Sequence, residues 1–92
     1  MEYLHRQFRL NAGDIVEVTL DGPANVMLLD PSNYEAYRNG RSYRYHGGHT
    51  TTSPARLVAL QDGMWHLVVD LGGYPGSVRA GVRVFPGAVA TR

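Results

Sequence analysis

The chain has 92 residues, with nine arginines and no lysine, eight acidic residues, no cysteine and a formal net charge of +1. This length supports one domain with one thin core, burying roughly 60 to 65% of the extended-chain surface, and argues against a deep cleft between subdomains. Without cysteine there are no disulfides, no thiolate catalysis and no cysteine-held zinc or iron–sulfur site; the charged start MEYLHRQFRL and the lack of any long apolar run predict a soluble, cytoplasmic protein without a membrane span.

In chain order, residues 3 to 10 place Leu4, Phe8 and Leu10 on one parity and predict a first strand, followed by a turn at Asn11-Ala12-Gly13. DIVEVTL, residues 14 to 20, alternates Val16, Val18 and Leu20 against Ile15, Glu17 and Thr19, the period of a half-buried strand. Asp21-Gly22-Pro23 closes it. Ala24 to Leu29 is a continuous apolar run, as expected of a strand covered on both faces.

The pattern then changes. Asp30-Pro31-Ser32 offers an N-cap with proline at the first helical position, Ser32 and Glu35 fit a capping box, and Gly40 offers a stop, which predicts one short helix near residues 31–39. Ser42 to Tyr45 is expected to be a short strand, and Gly47-Gly48 through Pro54 a loop. Strands resume over Ala55 to Leu60 and Met64 to Leu71, separated by Gln61-Asp62-Gly63, whose Asp-Gly pair favours a tight hairpin. After the Gly72-Gly73-Tyr74-Pro75-Gly76 turn, Ser77 to Phe85 alternates Val78, Ala80, Val82 and Val84 inward against Arg79, Gly81 and Arg83. The expected fold is all-β: a small β-sandwich or rolled, jelly-roll-like barrel of about seven short strands, with residues 1–85 as one domain and 86–92 as a C-terminal tail.

The stretch Asp30 to His49 holds four tyrosines, three arginines and two histidines. No acid lies between Glu35 and Asp62, whereas Arg38, Arg41, Arg44 and Arg56 do, so a nearly neutral chain contains a locally basic segment. Such a segment suits anions: the arginines for phosphate, and Tyr34, Tyr37, Tyr43 and Tyr45 for stacking. The competing and weightier reading is structural, with Tyr34 and Tyr37 docking the helix and the arginines forming a solvated face. Net charge near zero disfavours a dedicated nucleic-acid binder.

His46 and His49, with His5 or His66 as a third ligand, have a spacing that would suit metal only if the glycines turned the chain; exposed loop histidines are the preferred reading, and no metal site or cofactor is expected. Asp70 ends a strand before two glycines, where a carboxylate usually accepts backbone hydrogen bonds, although it could orient a ligand hydroxyl or act as a base. Ser53 and Ser77 lie in no nucleophile motif, and Gly72-Gly73 is no phosphate-binding fingerprint.

The runs Asn25-Val26-Met27-Leu28 with Asp30, Ser32-Asn33-Tyr34 and Tyr37; Gly47-Gly48; Pro54-Ala55-Arg56; and Trp65 leading to Asp70-Leu71-Gly72-Gly73 together resemble the bacterial family called domain of unknown function 1883. The likeness covers about residues 3 to 85. It implies a compact all-β fold with a short helical insertion, and members that occur alone or joined to modules such as Toll/interleukin-receptor-like domains, which suits sensing or recruitment. It brings no catalytic residue.

The resulting expectation is a non-enzymatic interaction module, monomeric or homodimeric, with no catalytic residues. Asn33, Tyr37, Arg38, Arg41, Arg44 and Asp70 are its candidate ligand-binding residues, and a protein or an anionic small molecule is its partner. Nucleic-acid binding is the alternative. A small enzyme acting on a phosphorylated or glycosylated molecule comes third, and would need His46 or His66 within reach of Asp70.

Overall fold

The computed structural model describes residues 3–87. Seven strands and one helix follow one another as β1 (Tyr3–Leu10), β2 (Ile15–Leu20), β3 (Ala24–Leu29), α1 (Pro31–Arg38), β4 (His46–Thr50), β5 (Ala55–Val58), β6 (Gly63–Asp70) and β7 (Ala80–Phe85). They form two antiparallel sheets, ordered β1-β6-β3-β4 and β5-β2-β7, which pack as a sandwich and do not close into a barrel. Among the described residues no helix is long and apolar enough to cross a membrane.

The apolar run of β3 is covered on both sides. Ala24, Val26 and Leu28 enter the core between the sheets with Val16, Val18, Leu57, Trp65, Leu67 and Val69, while Met27 and Leu29 join Val68, Tyr34 and Tyr37 in a second cluster beneath the helix. The alternation of β6 does the same: Trp65, Leu67 and Val69 point to the core, and His66, Val68 and Asp70 to the outer face. Fully burying a side chain such as Leu67 contributes about 1.5–3 kcal/mol.

Three expectations are corrected. Ser42 to Tyr45 is not a strand; the fourth strand is His46–Thr50, which includes the two glycines assigned to a loop. Gly47 pairs with Met27, has φ +120, and leaves no room for a Cβ against the Val26 carbonyl, so the backbones approach more closely there than a side chain would permit. The Asp62-Gly63 pair joins no hairpin either, because β5 pairs with β2 whereas β6 pairs with β1 and β3. Asp62 instead accepts the Ala12 N–H at 2.7 Å, tying two inter-sheet crossings together. On β7, Ala80 and Val82 pack against the core as expected, but Val84 is exposed.

At the start of the expected tail, Gly87 donates its N–H to Asp14 at 2.9 Å and lies so close to Gly13 that a Cβ would collide. The rest of that tail, from residue 88 onward, lies outside the described residues.

A tyrosine-lined candidate binding cleft

Strand register sets polar side chains in a row across the outer face of the four-stranded sheet. Tyr3 lies opposite Asp70, Asp70 opposite Asn25, and Asn25 opposite His49, on four adjacent strands. All four share one parity, so the row follows directly from the pleat.

Helix α1 covers part of this face because its ends are well specified. Asp30 caps it, accepting the Asn33 N–H at 2.8 Å, the Asn33 side-chain amide at 3.0 Å and the Ser32 hydroxyl at 3.1 Å. The Asn33 N–H holds the Asp30 carboxyl below the usual range. At the other end Gly40, with φ +72, lets its own N–H reach the Tyr37 carbonyl and the Arg41 N–H reach Ala36, a Schellman closure.

The chain then crosses the sheet to β4 without regular structure. It is pinned where Asn33 Oδ1 accepts the Arg44 N–H at 2.8 Å, and where Tyr43 packs edge to face on Tyr37 with ring centroids 5.2 Å apart.

Asp70 is the centre of the site. It is only 5% exposed, yet its carboxylate meets no cationic side chain among the described residues. Oδ1 accepts from Asn25 Nδ2 at 2.8 Å and from the Gly72 N–H at 2.9 Å, and Oδ2 accepts the Tyr37 hydroxyl at 2.6 Å. Burial first, and then the bond to Asp70, push the Tyr37 phenol well above its ordinary pKa. Tyr43 is raised too, by burial and then by the charge of Asp70. Both phenols therefore stay neutral, and the carboxylate sets a negative potential around them.

These groups enclose a cleft of about 320 Å³, lined by Tyr37, Tyr43 and Tyr45 on one side, Asp70, Gly72 and Gly73 on another, and Asn25 and His49 between. Across the shared Asn25, His49 and Gly72 lies a second hollow of about 500 Å³ under the Tyr74 loop.

Of the six residues singled out from sequence, four meet in two pairs and two stand apart. Tyr37 and Asp70 meet at the cleft. Asn33 and Arg44 meet at the helix cap, and Arg44 lines a separate hollow of about 330 Å³ on the other side of Tyr45. Arg38 is exposed and pairs with Glu35 at 3.3 Å, and Arg41 is exposed just past the helix stop. The fourth basic residue of the segment, Arg56, is removed from it and pairs with Glu17 on the other sheet at 3.1 Å.

Asn25 escaped the sequence reading because it reaches Asp70 only through the pairing of β3 with β6, 45 residues apart. No local spacing signals that. A second unforeseen group is the pair His5 and His66, whose ring nitrogens hydrogen-bond at 2.8 Å while both rings stack on Tyr34. His46 and His49 belong to different hollows, and no cluster of His, Asp or Glu suited to metal occurs among the described residues.

The model for the domain of unknown function DUF1883 matches residues 1–88, nearly the whole chain, and the chain belongs to this family. No curated protein and no solved structure matched it.

Proposed function

For this member of the DUF1883 family we propose a non-enzymatic binding module, acting in sensing or recruitment, whose contact surface is the tyrosine-lined cleft with Arg41 and Arg44 exposed nearby. The observation that carries this reading is the cleft itself. Three segments far apart in sequence, 25–27, 37–49 and 70–73, contribute residues to one open hollow whose floor is locked by hydrogen bonds and whose rim residue Tyr45 stays half exposed. A rigid floor with a free aromatic rim suits recognition, since little ordering cost remains for binding.

Two further points support binding over catalysis. The Asp70 carboxylate is already engaged by three donors, and its partners are an amide, a phenol and a backbone N–H, whereas His66 is bonded to His5. An acid–base pair of the kind a small hydrolytic enzyme needs would join a histidine to that carboxylate. The absence of cysteine suits a reducing cytoplasm.

A thermal-shift panel of anions, sugars, nucleotides, amines and short oligonucleotides tests the reading, because a ligand at 100 times its Kd stabilises by about 2.7 kcal/mol. The expected outcome is a hit whose shift is lost in Tyr45→Ala or in the double variant Arg41→Ala, Arg44→Ala. A hit that both variants bind unchanged would remove the site. A response confined to oligonucleotides, falling steeply with salt, would move the assignment to nucleic-acid binding.

A further inference from the structure

The cleft combines two features that select a charge type. Asp70 is a buried carboxylate without a cationic partner among the described residues, and it lines the hollow. A buried charge is ordinarily paired, so the countercharge can come from a ligand. Its hydrogen-bonding capacity is largely taken by Asn25, Gly72 and Tyr37, so the charge remains available to a group that needs attraction more than hydrogen bonds.

The walls agree. The Tyr37 and Tyr43 rings stand at 88° to each other, and Tyr43 and Tyr45 at 46° with centroids 5.7 Å apart, so three rings turn a corner around the hollow instead of forming one stack. Aromatic ring faces are the electronegative side of the quadrupole and attract cations, and Tyr45, half exposed, is more open to one than the buried Tyr37. Met27 adds a polarizable lining.

We propose that the cleft is a receptor for an alkylated ammonium group, with Tyr37, Tyr43 and Tyr45 as its aromatic walls and Asp70 as its countercharge. This deepens the binding reading and rests on it. The arginines then have a separate role: lying outside the cleft, they suit an anionic portion of the same ligand. The ammonium has two sources, a free choline-like molecule or a methylated lysine within a peptide.

The test is an amide NMR titration of the full chain with tetramethylammonium and choline chlorides, sodium chloride at matched ionic strength, and 3,3-dimethylbutan-1-ol, the uncharged isostere of choline. The amides of Gly48, His49, Gly72 and Gly73 should shift with both cations, and choline should bind about tenfold more tightly than the isostere. Tyr45→Ala, at a half-exposed position, should weaken choline several-fold while Tyr45→Phe retains it; Asp70→Asn, if folded, should erase the preference over the isostere. A peptide with trimethyllysine that outbinds both choline and its unmethylated form assigns the protein source, and the reverse order assigns the free one.

Equal affinity for choline and its isostere, or no shift with either cation, overturns the proposal. If an anion or a sugar moves the same amides where the cations do not, the binding site stands and only its cation chemistry falls. If no compound moves them, both fall.

Discussion

Asp70 shows how one residue can hold a site together. Its oxygens connect β3 through Asn25, the helix through Tyr37 and the following turn through Gly72, so three elements converge on a charge that has left water. Hydrogen bonds to a charged group contribute about 1.5–3 kcal/mol. Tyr37→Phe keeps the ring packing and removes the shortest of the three bonds, so a loss of that size is expected, read as a lower urea midpoint at unchanged m value. An unaltered midpoint would mean that water or a shifted donor replaces the hydroxyl. Gly47 is the residue-scale counterpart in the backbone: its φ of +120 and its approach to Val26 leave no place for a side chain.

At the scale of elements, α1 is two turns long and could not persist alone. It depends on Tyr34 and Tyr37 packing over Val68 and on its cap. Asp30→Ala should cost about 1 kcal/mol, measurable by chemical unfolding, and should loosen the Arg44 crossing that Asn33 pins. The histidine pair links β1 to β6 under the same helix. Burial, then Arg38 and Arg6, lowers the His5 pKa; burial, then His5, lowers that of His66 against the opposing pull of Glu35 and Asp30. The unfolded chain therefore takes up protons first as pH falls below about 6.5, and the stability present above that value declines as pH drops through the native pKa values. Urea midpoints measured from about pH 7 to about pH 5 should fall for the native protein, and fall less for the double variant His5→Gln, His66→Gln. Parallel pH curves would assign the loss to other groups.

Across the whole molecule, consecutive strands cross from sheet to sheet except where β3 passes through α1 into β4. That exception places the helix and the tyrosine-rich crossing on one outer face, and so builds the cleft. The same crossings make the two sheets depend on one core. Leu67 lies fully within it, and Leu67→Ala should cost about 2–5 kcal/mol. Leu60, 68% exposed, should lose no more than about 0.5 kcal/mol on the same change. Trp65 fluorescence and far-UV circular dichroism should report one coincident transition, and separate midpoints would show sheets that unfold independently.

Local rules made much of this chain legible. Period-two alternation marked β2 and β6, the continuous apolar run marked β3 as buried on both faces, and Asp30-Pro31 with Gly40 bounded the helix, because propensity, pleat and capping act over a few residues. Tyr37 and Asp70 also stood out locally. What surrounds them did not: strand order brings Asn25 beside Asp70 and His49 beside Asn25, edge pairing with β3 makes a strand of the glycine-bearing His46–Thr50 segment, and packing sets Arg44 in the neighbouring hollow and Arg56 on the other sheet. Those outcomes are set by contacts between segments tens of residues apart, whose energies depend on the assembled sheet and leave no periodicity in the sequence itself.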